Sequence, residues 1–263
     1  MHMNLSRGQL SVPTAIIVAA AFIAIAIIWV NKPSAPAAPA GHETAVSPSP
    51  DQSGTPVGPA PVTAADHILG NPNAPIKLIE YSDPSCPYCK QFNPALEQVM
   101  SAYGSSGNVA WVYRQAPLTG QTPDGQAFHP NSIAQAQAFE CAGALGGNAA
   151  FFAYEKRWYD VFPIDGADRD AGADSLQILS VAKDAGLDTA AFNACLSSGR
   201  FKAAVTADLD TSMKAGITGT PYTFMVTPSG NIIPLEGIQS FSVLKSAIDT
   251  LITTIATSSN LKN

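Results

Sequence analysis

The sequence predicts an α/β fold in which a small sheet is built in two halves, βαβ and ββα, around an all-helical insertion. Three observations predict it. Two short apolar runs, 76–81 and 109–113, flank a segment of helical periodicity, the pattern of parallel strands joined by a crossover helix. A long helical stretch follows, from about 126 to 215. Beyond it, two further short runs meet at the turn Pro228-Ser229-Gly230-Asn231 and lead into an amphipathic helix.

Two segments precede this domain. Residues 10–30 carry no charged side chain. A run of about 20 apolar residues suffices to cross a hydrocarbon core of roughly 30 Å. Arg7 stands before it and Lys32 after it, so the flanking charges nearly balance, and the amino group with His2 tilts the N-terminus toward the cytoplasm. Residues 1–30 are therefore expected to form a cytoplasmic tip and a transmembrane anchor. A signal peptide cleaved near Ala38-Pro39-Ala40 is the alternative, although its apolar core is ordinarily only about 7–15 residues. Either reading exports the remainder. Residues 31–65 contain Pro, Ala, Ser, Thr and Gly but no aromatic residue. Such a segment buries too little apolar surface to offset its ordering entropy and is expected to be a disordered, semi-rigid spacer. Residues 66–263 form the domain, with the insertion at about 121–215.

Within the domain, the 76–81 run is apolar enough to be a buried strand. The helix after it spans 90–103, with Phe92, Leu96 and Val99 on one face and Gly104 and Gly107 at its end. In the insertion, Ala134, Ala138, Cys141, Ala142 and Leu145 form one stripe, and Leu176, Leu179 and Ala182 another that stops at Gly186. Asp188 fits the N-cap of a helix carrying Phe192, Cys195 and Leu196. Strands at 223–226 and 232–235 precede the last helix, which starts at Ser240 or Ser242 and buries Leu244, Ile248, Leu251, Ile252 and Ile255. Trp111, Phe151, Phe152 and Trp158 are assigned to the core, His129 to a turn before Pro130, and the acidic run 165–174 to a solvated loop.

Composition narrows the function. The chain of 263 residues is 46% hydrophobic and 13% charged, with a net charge of -6. A nucleic-acid surface would need clustered Lys and Arg, so no nucleic-acid partner is expected. Four cysteines are too few for a disulfide-dense scaffold but enough for one redox centre and one staple.

The chemistry concentrates at Cys86-Pro87-Tyr88-Cys89. Two cysteines at this spacing, after a strand and at a helix start, place the first sulfur where unpaired N–H groups favour a thiolate. The second lies about a turn deeper, within reach of a disulfide. Pro87 suits the first turn, where a missing N–H costs nothing. Cys86 is therefore expected to be an exposed nucleophile of low pKa, and Cys89 the buried resolving thiol. A structural disulfide or half of a metal site remain alternatives: the first would staple a ring of only a few residues, and the second would want further ligands nearby. No metal or cofactor is expected. Glu80, six residues before Cys86 on the incoming strand, is expected to be buried behind the helix start, with a raised pKa suited to exchanging a proton with Cys89. Thr220-Pro221 marks a strand start, and a cis Pro221 would pack beside the sulfurs and leave the Thr220 backbone to pair with an extended substrate.

Together the strand, the Cys86-Pro87-Tyr88-Cys89 motif, the helical insertion and Thr220-Pro221 resemble the thioredoxin superfamily, and more narrowly the DsbA-like, membrane-anchored thiol-disulfide oxidoreductases of bacteria, over about residues 65–255. The resemblance implies a thioredoxin fold, Cys86 as the attacking or attacked sulfur, Cys89 as its resolving partner, Glu80 as the buried acid, and Pro221 as the cis-proline shaping a peptide groove. It implies an enzyme outside the cytoplasm that forms disulfides in exported, unfolded polypeptides and is reoxidised by a membrane redox partner. One departure is Tyr88, which stands where the best-known oxidases carry histidine; a tyrosine brings no positive charge, so the disulfide is expected to be less oxidising. A reductase or isomerase is the alternative within enzymes, and a peptide-binding chaperone or metal-delivery module outside them. Cys141 and Cys195 fall on apolar stripes. They are either free buried thiols or, if adjacent in an oxidising compartment, a structural disulfide, and a non-catalytic bridge in the insertion of some DsbA-like proteins supports the second.

Overall fold

The computed structural model describes residues 58–120, 128–162 and 171–260. The strands are β1 (His67–Gly70), β2 (Ile76–Ser82), β3 (Val109–Gln115), β4 (Tyr222–Val226) and β5 (Ile232–Glu236). The helices are α1 (Pro87–Tyr103), α2 (Ser132–Val161), α3 (Ala171–Asp184), α4 (Thr189–Ser197), α5 (Lys202–Lys214) and α6 (Phe241–Asn260). Among the described residues the five strands form one mixed sheet of order β1-β3-β2-β4-β5. β2 and β3 run parallel, with Leu78 opposite Trp111 and Glu80 opposite Tyr113. β4 pairs antiparallel with β2, and β5 with β4. This is the thioredoxin arrangement of βαβ and ββα, with α2 to α5 inserted between the halves.

Alternation along the central strands sorts residues to two faces. One face carries Ile76, Leu78, Trp111, Tyr113 and Met225 into the main core, where they meet Phe92 and Leu96 of α1, Leu244 and Ile248 of α6, and the aromatic residues of α2. Glu80 shares the period of Ile76 and Leu78, which turns a carboxyl into the same interior. The other face presents Ile79, Tyr81, Val112 and Phe224 to a smaller cluster with Ile217. Phe139 and Phe151 of α2 lie 5.9 Å apart edge to face, and Phe151 also meets Tyr113 of β3, so the insertion is fused to the sheet by aromatic packing.

Several sequence expectations shift. β1, with only four residues, is too short to show alternation and was not expected; it extends the sheet beyond β3. α1 begins at Pro87, ahead of the periodic stretch from 90, and so places Cys86 at the helix start and Pro87 in the first turn as the motif predicts. α2 breaks at Gly146 and Gly147, and Gly147 adopts φ 68 and ψ -164, a conformation open in practice only to glycine. The two expected insertion stripes hold in part: Ala138, Cys141, Ala142 and Ala182 are buried and Leu179 packs against the core. Ala134 and Leu145 are exposed, while Ala138, Phe139 and Ala142 are buried; Leu176 is exposed, while Ile178, Val181 and Ala182 are buried. In segments this rich in Ala and Leu, neighbouring helix faces are almost equally apolar, and the bulk of Phe139 and Ile178 decides which one turns inward. Asp188 caps α4, accepting the Ala191 N–H at 2.8 Å. Ser240, rather than Ser242, precedes α6 and accepts the Val243 N–H at 3.3 Å.

The expected spacer reaches to 65, yet residues 60 and 61 already bind the domain. Their carbonyls accept hydrogen bonds from Arg114, which also pairs with Asp66 at 2.7 Å and donates to the Tyr81 hydroxyl. A buried guanidinium needs all its N–H groups satisfied, and this stretch of backbone satisfies them. Asp174, expected in a solvated loop, is buried and accepts from Gln135 at 3.0 Å. Residues 163–170 of that loop lie outside the described residues, as do the expected anchor or signal peptide and the spacer up to residue 57. No helix among the described residues is long and apolar enough to cross a membrane. β1 and β5 are the sheet's outer strands, and β5 sets Pro234 opposite Phe224.

Candidate dithiol active site

Cys86 occupies the N-cap of α1 with extended backbone angles, φ -81 and ψ 120, and Pro87 follows in the first turn. The Cys86 N–H donates to the Asp83 carbonyl at 2.9 Å, and the Cys86 carbonyl accepts the Lys90 N–H at 3.2 Å, which aligns the sulfur with the helix start. Both thiols are unbridged. The Cys86 thiol lies 3.4 Å from the Thr220 carbonyl, and the Asp83 N–H points at Cys89 Sγ at 3.4 Å. The Thr220–Pro221 peptide bond is cis. One expectation needs correction: Cys86 is only 3% exposed, because the Thr220 backbone lies against its sulfur, while Tyr88 stands 58% exposed beside it.

The two sulfurs are electrostatically unequal. The Cys89 thiol donates to Cys86 and, with the Thr220 side chain and the Cys89 backbone N–H, brings the Cys86 pKa down to about 6 against the opposing effects of burial and the charge of Asp83. Burial, followed by the same hydrogen bond and the charges of Cys86 and Glu80, pushes Cys89 well above the ordinary thiol range. A thiolate is thereby concentrated on the outer sulfur and a proton on the inner one. Glu80 is buried, accepts the Trp111 indole N–H at 2.9 Å, and is raised by burial to about 7. Its charge reaches Cys89, so the carboxyl is suited to hold or release a proton there near neutral pH.

The α2 helix grips the loop that carries the motif. Trp158 donates to the Pro84 carbonyl at 2.9 Å, Tyr159 to the Asp83 carbonyl at 3.2 Å, and the Ser85 hydroxyl to Gln135 at 2.5 Å. Asp83, fully buried, accepts four hydrogen bonds on its carboxyl oxygens. They come from the Ser85 N–H, the Leu118 N–H, the Ser132 hydroxyl and His129 Nδ1. His129, expected in a plain turn, is thus a buried partner of the residue three positions before Cys86. Sequence spacing gives no hint of this pairing across 46 residues. Glu155 was missed as well. It is buried behind α1, bonded to Asn93, and raised by burial and by the charge of Glu80. Set among aromatic residues and charges in the sequence, it looks like an ordinary helix-surface acid.

Cys141 of α2 and Cys195 of α4 are joined by a disulfide with a Cα–Cα distance of 5.9 Å, remote in sequence from the redox pair. Among the described residues, no group of three or more His, Cys, Asp or Glu side chains is arranged to hold a metal.

A low-pKa sulfur at a helix tip, a second thiol one turn deeper and a cis-proline loop against them have the geometry that thiol-disulfide exchange requires. The thioredoxin family model matches residues 63–249, and the chain belongs to that family. Among solved structures, it is similar to DsbA2 of Pseudomonas aeruginosa, with 27% identity and a TM-score of 0.56, covering 73% of this chain and 97% of the other. It shares its fold with alpha-DsbA1 of Wolbachia pipientis, at 21% identity and a TM-score of 0.63, covering 75% and 96% of the two chains. The same holds for oxidised BdbD of Bacillus subtilis, at 19% identity and a TM-score of 0.60, covering 75% and 98%. Among curated proteins, a Na(+)/H(+) antiporter NhaA 1 of Salinispora arenicola is 30% identical over 161 residues, 61% of this chain. The antiporter NhaA 1 of Mycobacterium sp. (strain KMS) is 37% identical over 81 residues, 31% of this chain. The chain spans 21% and 12% of the lengths of those two relatives, so ion transport does not follow from the likeness. Fold and dithiol place this protein in the thioredoxin family with a cysteine pair suited to thiol-disulfide exchange.

Proposed function

We propose that the protein works outside the cytoplasm, tethered through its N-terminal segment, and forms disulfides in newly exported polypeptides. The observation that carries the direction is the inequality of the sulfurs. Holding Cys86 near a pKa of about 6 stabilises the reduced enzyme, and a stabilised reduced form makes its disulfide a stronger oxidant. In the forward reaction a client thiolate attacks Cys86 of the Cys86–Cys89 disulfide and Cys89 leaves. A second client thiolate then attacks the client sulfur of the mixed disulfide, and Cys86 leaves as a thiolate. The Thr220–Pro221 loop beside Cys86 supplies the backbone against which an extended client strand pairs. The reduced dithiol returns its electrons to a membrane redox partner.

The exposed Tyr88 favours a second reading. Without a cationic side chain between the cysteines the potential drops, and the same site serves a reductase or isomerase. Two measurements decide. Oxidised protein added to a reduced, unfolded test protein is expected to yield the native disulfides, and its reduction potential to lie nearer the oxidase value of about -120 mV than a reductase value of about -250 mV or below. A reductase-range potential with no oxidative refolding would sink the oxidase reading.

A further inference from the structure

Thiol-disulfide exchange puts its transient charge on the inner sulfur. When a client thiolate attacks Cys86 Sγ of the oxidised enzyme, the client–Cys86 bond forms as the Cys86–Cys89 bond breaks. The electron pair of the broken bond departs on Cys89 Sγ, which then takes a proton. Cys89 is a poor leaving group because burial resists its charge. A donor aimed at that sulfur therefore acts where charge develops. The Asp83 N–H is such a donor, at 3.4 Å in the dithiol form.

What aims it is the Asp83 side chain. Oδ1 is bonded to the Ser85 N–H at 2.8 Å and to the Ser132 hydroxyl; Oδ2 is bonded to the Leu118 N–H and to His129 Nδ1, each at 2.7 Å. These four donors come from the motif loop, from the segment after β3, from the turn before α2 and from α2 itself. Burying an imidazole against a carboxylate costs desolvation that apolar packing would avoid, so fixing the loop alone does not explain the pair. Its placement does, because one residue carries both the clamped carboxyl and the N–H on the sulfur.

We infer that His129 is a positioning residue for thiol-disulfide exchange: by holding the Asp83 carboxyl it keeps the Asp83 N–H on Cys89 Sγ while Cys89 leaves. The inference rests on exchange at Cys86 and Cys89, and its test separates the two. Oxidised full-length protein is mixed with excess dithiothreitol, and reduction is followed by timed alkylation of the freed thiols. Loss of one charge-assisted contact is worth about tenfold in rate. His129→Ala is expected to slow reduction by about that factor. His129→Asn, whose amide N–H takes the place of Nδ1, is expected to restore most of the rate, a rescue that a merely structural role would not tie to exchange. A wild-type rate in His129→Ala, or no rescue by Asn in a folded protein, overturns the inference. Should His129→Ala not fold, Ser132→Ala removes a donor from the other oxygen of the same carboxyl and is expected to slow exchange about threefold; an unchanged rate overturns it equally. Wild-type protein that dithiothreitol does not reduce would instead sink the exchange reading itself.

Discussion

Glu80 sits where a carboxylate is least comfortable, enclosed on the core face of β2 with the Trp111 indole as a neutral donor. Its pKa rises from 4.5 to about 7, so the fold favours the protonated acid. The resulting penalty on stability is absent below about pH 4.5, grows through the interval and is complete above about pH 7. Glu80→Gln, which keeps an acceptor for Trp111, is therefore expected to raise the melting temperature at pH 8 by several degrees and to leave it unchanged near pH 4.5. A melting temperature that falls at pH 8 would contradict the assignment. Cys86 has the opposite sign. Its pKa falls from 9.0 to about 6, so its contribution to the reduced fold is full above about pH 9 and is lost as pH drops through about 6. Alkylation of the reduced protein is expected to titrate with a midpoint near pH 6. Its stability relative to reduced Cys86→Ser is expected to climb between about pH 6 and 9 and then level off; denaturant titrations at four pH values suffice to see it. The dithiol was legible in the sequence because four consecutive residues encode it. Asp83, three residues before the motif, shows no role in the sequence, since its partners His129 and Ser132 reach it only through the tertiary fold.

At the scale of elements, strands and helices with a strong period were legible and their facing was less so. β2, β3, β4 and α6 carry apolar runs whose spacing leaves one answer. The insertion helices are apolar on several sides, and there Phe139 and Ile178, outside the expected stripes, are buried while Ala134, Leu145 and Leu176 are exposed. β1 had no pattern to find; its place is fixed by pairing His67 with Tyr113 and by the stacking of His67 on Phe151 at 3.7 Å. The Cys141–Cys195 bridge ties α2 to α4 across a separation of 54 residues. In the chain-entropy view, closing a loop of that size stabilises by about 4 kcal/mol. The double variant Cys141→Ala, Cys195→Ala is expected to lose stability of that order in urea while keeping the Cys86 alkylation midpoint. A shifted midpoint would mean that the bridge also shapes the redox centre. Because α2 bonds the motif loop through Gln135, Trp158 and Tyr159, the insertion is part of the active site's frame and not an appendage to it.

For the whole molecule, Arg114 decides where the domain begins. It gathers Asp66 and the carbonyls of Ala60 and Pro61 onto β3, so the chain enters the domain beside the centre of the sheet. The last consequence concerns β5. Among the described residues its outer edge faces no other strand, and Pro234 offers no N–H there. On the proposed function, clients that are unstructured chains surround the protein with backbone hungry for a template, and every copy of itself is another. Pro234 makes that rim a poor seed for such stacking, because it leaves a gap in the outward row of N–H groups. Pro234→Thr would fill the gap and is expected to yield larger species in light scattering as concentration rises, whereas wild type keeps a constant mass. Equal behaviour of the two would leave the guarding of this border to other residues.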